Sequence, residues 1–99
     1  MQIAQESKNK IIVILTNIFP KARIYYFGNR AKQHDSDGKQ PEIDIAIDAG
    51  HKIGPKDTKA AQLALSETNI PYTIYLYDLN GVSEHERKNI IAKGIPWNK

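Results

Sequence analysis

The sequence has 99 residues, which is enough for one domain built around one hydrophobic core. Its composition, 40% apolar and 25% charged, is ordinary for a globular protein, and the lack of cysteine excludes a disulfide framework and a thiolate metal site. No apolar run approaches the roughly 20 residues of a membrane span, and the polar N-terminus is unlike a signal peptide. We therefore expect a single domain over residues 1–99, in the cytoplasm and without a membrane partner.

The net charge is +3, from 14 lysines and arginines against 11 aspartates and glutamates. A small positive excess helps to attract an anionic nucleotide. The basic side chains are scattered and form no dense run, so we do not expect nucleic acid as the main partner.

The first half of the chain predicts a helix and two strands. Apolar residues recur at three- and four-residue steps over residues 3–18, which favours a helix. Residues 22–27 are aromatic and β-branched and predict a strand that stops at a glycine turn at Gly28. Residues 33–41 have loop composition, and residues 42–48 predict the second strand.

The second half predicts a helix over residues 57–67, a strand over residues 72–79 and a last helix. Residues 83–86 match a capping box that opens this helix, which runs to Lys93 and can be closed by Gly94. The element order is α-β-β-α-β-α. We expect an α/β (α+β) fold in which helices pack against a small mixed β-sheet.

Glu42 and Asp44 stand two residues apart on the predicted second strand. Side chains alternate along a strand, so both carboxylates share one face while Ile43 and Ile45 point into the core. Two acids side by side repel each other, and the usual compensation is a hard divalent cation such as Mg²⁺, which prefers oxygen ligands. The alternative is a solvated strand end, but a glycine at position 28 that can meet a phosphate favours a metal–nucleotide site.

Other polar residues near this pair have simpler interpretations. Arg30 can contact a phosphate or form a surface ion pair with one of the acids. We interpret His34, Asp35 and Asp37 as exposed loop residues, not as a metal cluster. Asp48 shares the face of the acid pair, and we interpret it as a strand-end residue instead of a third ligand.

The tyrosines on the predicted strands are expected to pack within the sheet, although Tyr75, on the face of the acid pair, could stack on a base. Trp97 lies in the C-terminal tail and either covers the last helix or stands exposed as a docking residue. We expect the first arrangement.

The segments Phe27-Gly28-Asn29-Arg30 and Glu42-x-Asp44, in this element order, resemble the minimal nucleotidyltransferases of the DNA polymerase β-like superfamily. The resemblance covers nearly the whole chain, including the last strand and the end of the final helix. It implies a nucleotide site at Gly28, Asn29 and Arg30, and Mg²⁺ ligands at Glu42 and Asp44, which are also the implied catalytic residues.

Three positions depart from the pattern of that family. Asn29 replaces a serine, and Glu42 replaces an aspartate, which keeps the charge but adds a methylene. Tyr75 stands where the family has its third catalytic carboxylate, and a neutral phenol is a poor base at pH 7. Asp78 aligns with a second, non-catalytic acid and is expected on the opposite face of its strand.

The resemblance implies transfer of a nucleoside monophosphate from a nucleoside triphosphate, ATP in the first instance, to a hydroxyl acceptor with Mg²⁺. Family members of this size often act as antitoxins beside a helical HEPN-type partner. The departure at Tyr75 supports an alternative, a catalytically degraded module of the same fold that binds a nucleotide or a partner. Whether copies of the chain form a homo-oligomer stays open.

Overall fold

The computed structural model describes residues 4–29 and 42–98. Its elements in chain order are α1 (Gln5–Ile18), β1 (Arg23–Asn29), β2 (Glu42–Asp48), α2 (Pro55–Ser66), β3 (Thr73–Asp78), α3 (Glu84–Lys93) and β4 (Ile95–Pro96). The predicted order of six elements is confirmed, with one short strand added at the end. The predicted loop at 33–41 lies outside the described residues. Within the described ranges, no helix is long and apolar enough to cross a membrane.

Two predicted boundaries are wrong. β1 does not stop before a glycine turn but continues through Gly28 and Asn29, because its ladder with β2 extends that far. α2 begins at Pro55, ahead of the predicted start at Asp57, because a proline at the first helical position sacrifices no helical hydrogen bond. β2 has the predicted bounds, residues 42–48.

The four strands form one mixed sheet in the order β3-β2-β1-β4, which confirms the predicted fold class. β1 pairs antiparallel with β2 and with β4, whereas β2 and β3 are parallel. The parallel pair requires a crossover, and α2 supplies it. β2, one of the two inner strands, therefore has the parallel strand β3 on one side and the antiparallel strand β1 on the other.

One side of the sheet, which we call the α1/α2 face, carries Ile24, Ile45 and Ile74 and packs against α1 and α2. Ile45 is fully buried, as are Ile11 of α1 and Ala61 of α2. This aliphatic cluster is the main hydrophobic core. Burying one such isoleucine contributes about 1.5 to 3 kcal/mol.

The other side, which we call the α3 face, carries Tyr25, Asp44 and Tyr77 and is covered in part by α3. Its apolar cluster is small, and α3 has no buried residue within it. The Ser83 hydroxyl caps α3 by accepting a hydrogen bond from the Glu86 amide, as the capping box predicts. This cap matters more than usual because α3 has so little packing to hold it.

The last residues of the chain extend the sheet beyond β1. The Trp97 amide donates to the Ile24 carbonyl at 2.8 Å. The Asn98 side chain continues this pairing: its Oδ1 accepts from the Ile24 amide at 2.8 Å, and its Nδ2 donates to the Ala22 carbonyl at 2.9 Å. A side-chain amide thus serves as one further rung of the ladder.

Trp97 is not on the last helix, and that expectation is wrong. Its ring stacks on Tyr26 with centroids 5.4 Å apart, and Lys8 Nζ of α1 lies 5.7 Å from the ring. The reason is the pairing of β4 with β1, which directs Trp97 to the α1/α2 face.

Candidate functional site

The register of β1 on β2 brings the glycine of the first motif beside an acid of the second. Tyr26 pairs with Ile45, but the next pair is Gly28 with Asp44, so Phe27 is the extra residue of a β-bulge. The structure therefore brings Gly28 and Asp44 together across two strands. Asn29 follows Gly28 at the end of β1, and Arg30 lies outside the described residues.

Glu42 and Asp44 lie on β2. The parallel neighbour β3 places residues with hydroxyl groups next to them. Thr73 pairs with Glu42, and Tyr75 pairs with Asp44. Asp44 is only 9% exposed, which is low for a carboxylate. A buried carboxylate needs hydrogen-bond donors, and Tyr77 of β3 provides one to Asp44.

Each of two tyrosines donates to a different member of the acid pair. Tyr75 Oη lies 3.3 Å from Glu42 Oε2, and Tyr77 Oη lies 3.3 Å from Asp44 Oδ1. Both contacts are longer than the 2.5 to 3.0 Å usual for a hydroxyl donor but lie within hydrogen-bond range. The sequence placed Tyr75 on this face but did not identify Tyr77 as part of the site.

Asp78 does not join the acid pair, since both of its carboxylate oxygens accept from backbone amides. Its Oδ2 accepts from the Ile53 amide at 2.7 Å, and its Oδ1 accepts from the Asn80 amide at 3.0 Å. These bonds fasten the loops that flank α2 and β3, away from the acid pair. In residues 4–29 and 42–98, no group of three or more histidines and carboxylates could hold a metal ion.

Asp48 at the end of β2 has a structural environment of its own. The hydrogen bond from Asn80 Nδ2 contributes most to lowering the pKa of Asp48, and partial burial opposes it; the Gly50 amide and the charges of Arg87 and Arg23 lower that pKa further. Arg87 Nη2 of α3 lies 3.8 Å from Asp48. This carboxylate connects the ends of β2 and β3 to α3.

A cleft of about 430 Å³ opens between the sheet and α3 beside Asp44. Its volume lies within the range of small-molecule sites. Its wall includes Phe27 and Tyr77, whose rings meet edge to face with centroids 5.2 Å apart. The lining residues are Phe27, Asp44, Tyr77, Val82, Glu86, Asn89, Ile90 and Lys93.

Sequence reasoning missed the contribution of α3 to this cleft. Glu86, Asn89, Ile90 and Lys93 recur at three- and four-residue steps and so share one side of the helix. That spacing was the available signal, but the helix is too polar all round for the pattern to stand out. Lys93 brings a positive charge to a cleft that also contains Asp44.

The acid pair has the donor chemistry for one Mg²⁺. This ion is usually held by one or two carboxylates together with substrate phosphates, and it keeps several waters. Glu42 and Asp44 supply two carboxylates on one face, beside the backbone of Gly28. The donor set fits a single ion that arrives with a nucleotide.

Comparison by sequence finds no matching family profile and no matching curated protein. Comparison of structures does find matches. A tri-AMPylated Shewanella oneidensis HEPN toxin in complex with an MNT antitoxin matches with a TM-score of 0.72 and 24% identity, over 94% of this chain and 70% of that chain. A mutant MntA toxin–antitoxin complex with two aspartates replaced by glutamate gives 0.70 and 26%, over 91% and 70%. A toxin–antitoxin structure with AMP-PNP gives 0.70 and 24%, over 91% and 71%.

The mixed sheet, its helices and the cleft beside β2 therefore define a nucleotidyltransferase-like fold. Solved structures that share it include MntA and MNT antitoxins, which are minimal nucleotidyltransferases, in complexes with HEPN toxins. The resemblance predicted from the sequence is confirmed.

Proposed function

We propose that this chain is a nucleotidyltransferase-type antitoxin that binds a nucleoside triphosphate, ATP in the first instance, with Mg²⁺ on the α3 face. It transfers the nucleoside monophosphate to a hydroxyl group on a HEPN-type helical partner. The observation that carries the proposal is the pairing of Gly28 with Asp44, with Glu42 two residues away, in the fold of MntA antitoxins.

The roles of the residues follow from the chemistry of phosphoryl transfer, which needs charge neutralisation and in-line positioning. Gly28, Asn29 and Arg30 bind the triphosphate, and Glu42 and Asp44 hold the ion that neutralises it. The acceptor oxygen forms a bond to the α-phosphorus, the bond between the α- and β-phosphates breaks, and pyrophosphate leaves. The hydroxyl proton passes to solvent.

The partner and the nucleotide are inferred from the structural neighbours. One of them contains a tri-AMPylated HEPN toxin with its MNT antitoxin, and another contains AMP-PNP. The cleft beside Asp44 offers space for such a nucleotide, and since its lining carries Asp44 and Glu86 against Lys93, a cation would have to accompany the phosphates.

Tyr75 favours a second candidate, a module of the same fold that binds a nucleotide or a partner without turnover. It pairs with Asp44 across β2 and β3, where the family carries its third carboxylate. A neutral phenol carries no charge to balance a second metal ion and is a poorer proton acceptor than a carboxylate.

Calorimetry with a non-hydrolysable ATP analogue tests the nucleotide site that both candidates share. We expect binding that requires Mg²⁺ and that is lost in the double variant Glu42→Ala/Asp44→Ala. Asp57→Ala, which removes an exposed acid from α2, is the matched control and should bind as the unmodified chain does. Equal binding by the double variant would show that the site is elsewhere.

Transfer from ATP labelled on its α-phosphate separates the two candidates. The purified chain is mixed with a HEPN-type helical protein, and label on that protein supports the enzyme. A stable complex without label supports the binding module. In that case Tyr75→Asp, which restores a carboxylate to β3, is expected to switch transfer on.

A further inference from the structure

We propose that Tyr75 and Tyr77 are positioning residues that hold Glu42 and Asp44 as a centre for one divalent cation bound together with a nucleoside triphosphate. The inference rests on the proposed function. It concerns the side chains that support the two carboxylates of this chain, in which Tyr75 occupies the position of the third carboxylate implied by the resemblance.

The parallel register of β2 and β3 makes the contacts possible. Tyr75 is level with Asp44 but its hydroxyl reaches Glu42, and Tyr77 is level with Ala46 but its hydroxyl reaches Asp44. Both tyrosines thus lean in the same direction along the strand, and each carboxylate receives its own donor. Such an arrangement orients both acids at once.

The two hydroxyl donors offset part of the repulsion between the two carboxylates. Glu42 and Asp44 share one face of β2, so their negative charges lie close together and repel each other. A hydroxyl donor stabilises a charged carboxylate and fixes which oxygen faces the incoming ion. Carboxylate ligands in metal sites are commonly held by such outer hydrogen bonds, whose loss costs 10- to 100-fold in metal affinity.

The donors also limit how many ions the centre takes. A carboxylate at position 75 would add a third negative charge and a further oxygen ligand beside the pair, and both would attract a second cation. A phenol hydroxyl is neutral and donates a proton to its bond, so it supports the two existing ligands without adding another. Two carboxylates with two hydroxyl donors therefore suit one ion.

The aromatic rings have a packing role that must be separated from the role of the hydroxyls. The Tyr77 ring contacts Phe27, and both tyrosines are half-buried on the α3 face. Tyrosine-to-phenylalanine substitution keeps the ring and removes only the hydroxyl. Tyr72, which packs on the α1/α2 face, gives the matched control through Tyr72→Phe.

The test is a Mn²⁺ titration of the full chain, followed by electron paramagnetic resonance in the presence of a non-hydrolysable ATP analogue. We expect one Mn²⁺ per chain, held about 10-fold more weakly in Tyr75→Phe and in Tyr77→Phe but unchanged in Tyr72→Phe. Thermal unfolding without metal checks that each variant is folded.

A double-mutant cycle shows whether each hydroxyl acts through its own carboxylate. In a Glu42→Gln background, Tyr75→Phe should weaken Mn²⁺ binding no further, whereas Tyr77→Phe should still weaken it. An equal loss for Tyr75→Phe in the unmodified chain and in the Glu42→Gln background would show that its hydroxyl does not act through Glu42.

The outcomes separate this inference from the proposed function. Two Mn²⁺ ions per chain, or affinities in Tyr75→Phe and Tyr77→Phe equal to that of Tyr72→Phe, would overturn the inference and leave the nucleotide site standing. Absence of any nucleotide-dependent Mn²⁺ binding by the unmodified chain would overturn both.

Discussion

The two faces of the sheet differ in how much of their surface is used for stability. On the α1/α2 face, two helices bury a continuous aliphatic cluster that includes Ile45 and Leu15. On the α3 face, one helix without a buried residue covers a small aromatic cluster and leaves a cleft beside Asp44. Adjacent residues of β2 therefore differ in role: Ile45 contributes to the hydrophobic core, and Asp44 lines the cleft.

The difference shows how a small chain accommodates an acid pair that opposes folding. Like charges and a partly buried carboxylate are tolerable on the α3 face because the opposite face supplies most of the apolar burial. Substitutions on the two faces should accordingly affect different measurements.

Ile45→Ala is expected to have the largest effect on stability. It removes three heavy atoms from a fully buried position on the α1/α2 face, and such truncations cost about 2 to 5 kcal/mol. Urea denaturation measures the change in the free energy of unfolding. Its neighbour gives the comparison: Asp44→Asn should change that free energy by about 1 kcal/mol or less but abolish Mg²⁺-dependent nucleotide binding.

Equal destabilisation by Ile45→Ala and Asp44→Asn would contradict this division, because it would place both faces in the stabilising core.

Gly94→Ala tests the tight turn that ends α3. A Cβ at position 94 would lie 2.6 Å from the Ile90 carbonyl oxygen of α3 itself, so the last turn of the helix must shift, whereas its 3.4 Å distance from Tyr25 Cβ on β1 is an ordinary contact. We expect a loss of about 1 to 3 kcal/mol in the free energy of unfolding. Gly54→Ala, where a Cβ meets nothing within 4 Å, should cost about 0.5 kcal/mol through the weaker cap alone.

Similar losses in the two glycine variants would show that the last turn of α3 accommodates the added Cβ without strain.

Ser83→Ala tests how far α3 depends on its own cap. Loss of the hydroxyl that accepts from the Glu86 amide should cost about 1 kcal/mol. Because α3 buries none of its residues, we expect the loss to appear as faster hydrogen exchange in residues 86–93. Ser66→Ala, at the exposed end of α2, should leave those amides unchanged.

The pH dependence of stability tests the connection at Asp48 and is expected to be the smallest effect. Its folded pKa lies below the ordinary value of 3.8, so its contribution is present above about pH 4 and is lost as the pH falls through the folded pKa. Urea midpoints measured from pH 7 down to pH 2.5 should fall less steeply in Asp48→Asn than in the unmodified chain. Asp57→Asn is the control and should follow the unmodified chain.

The sequence predicts those parts of the fold that have a local signal. β2 was bounded correctly because apolar residues alternate with acids between two loops, and the start of α3 because Ser83 and Glu86 have capping spacing. β4 has only two residues and pairs with Tyr25 and Tyr26, some seventy positions away. The residues around β4 therefore carry no pattern that predicts a strand. The position of Trp97 was wrong for the same reason.

The candidate site likewise has one part that the sequence predicts from a local pattern and another that depends on tertiary structure. The common face of Glu42 and Asp44 follows from strand periodicity alone. The hydroxyl contacts of Tyr75 and Tyr77 depend on the register between β2 and β3, and that register is set by tertiary packing and not by residues near the tyrosines in sequence. The assignment of Gly28, Asn29 and Arg30 to the nucleotide remains a prediction.

The bulge at Phe27 has a consequence for how related chains are to be recognised. Hydrogen bonds between β1 and β2, and not the length of the chain that joins them, set Gly28 opposite Asp44. The twelve residues between Asn29 and Glu42 can therefore be lengthened or shortened by insertion or deletion without separating the two. A sequence search that requires a fixed interval between glycine and acid would overlook such relatives, whereas one that aligns the paired strands would find them.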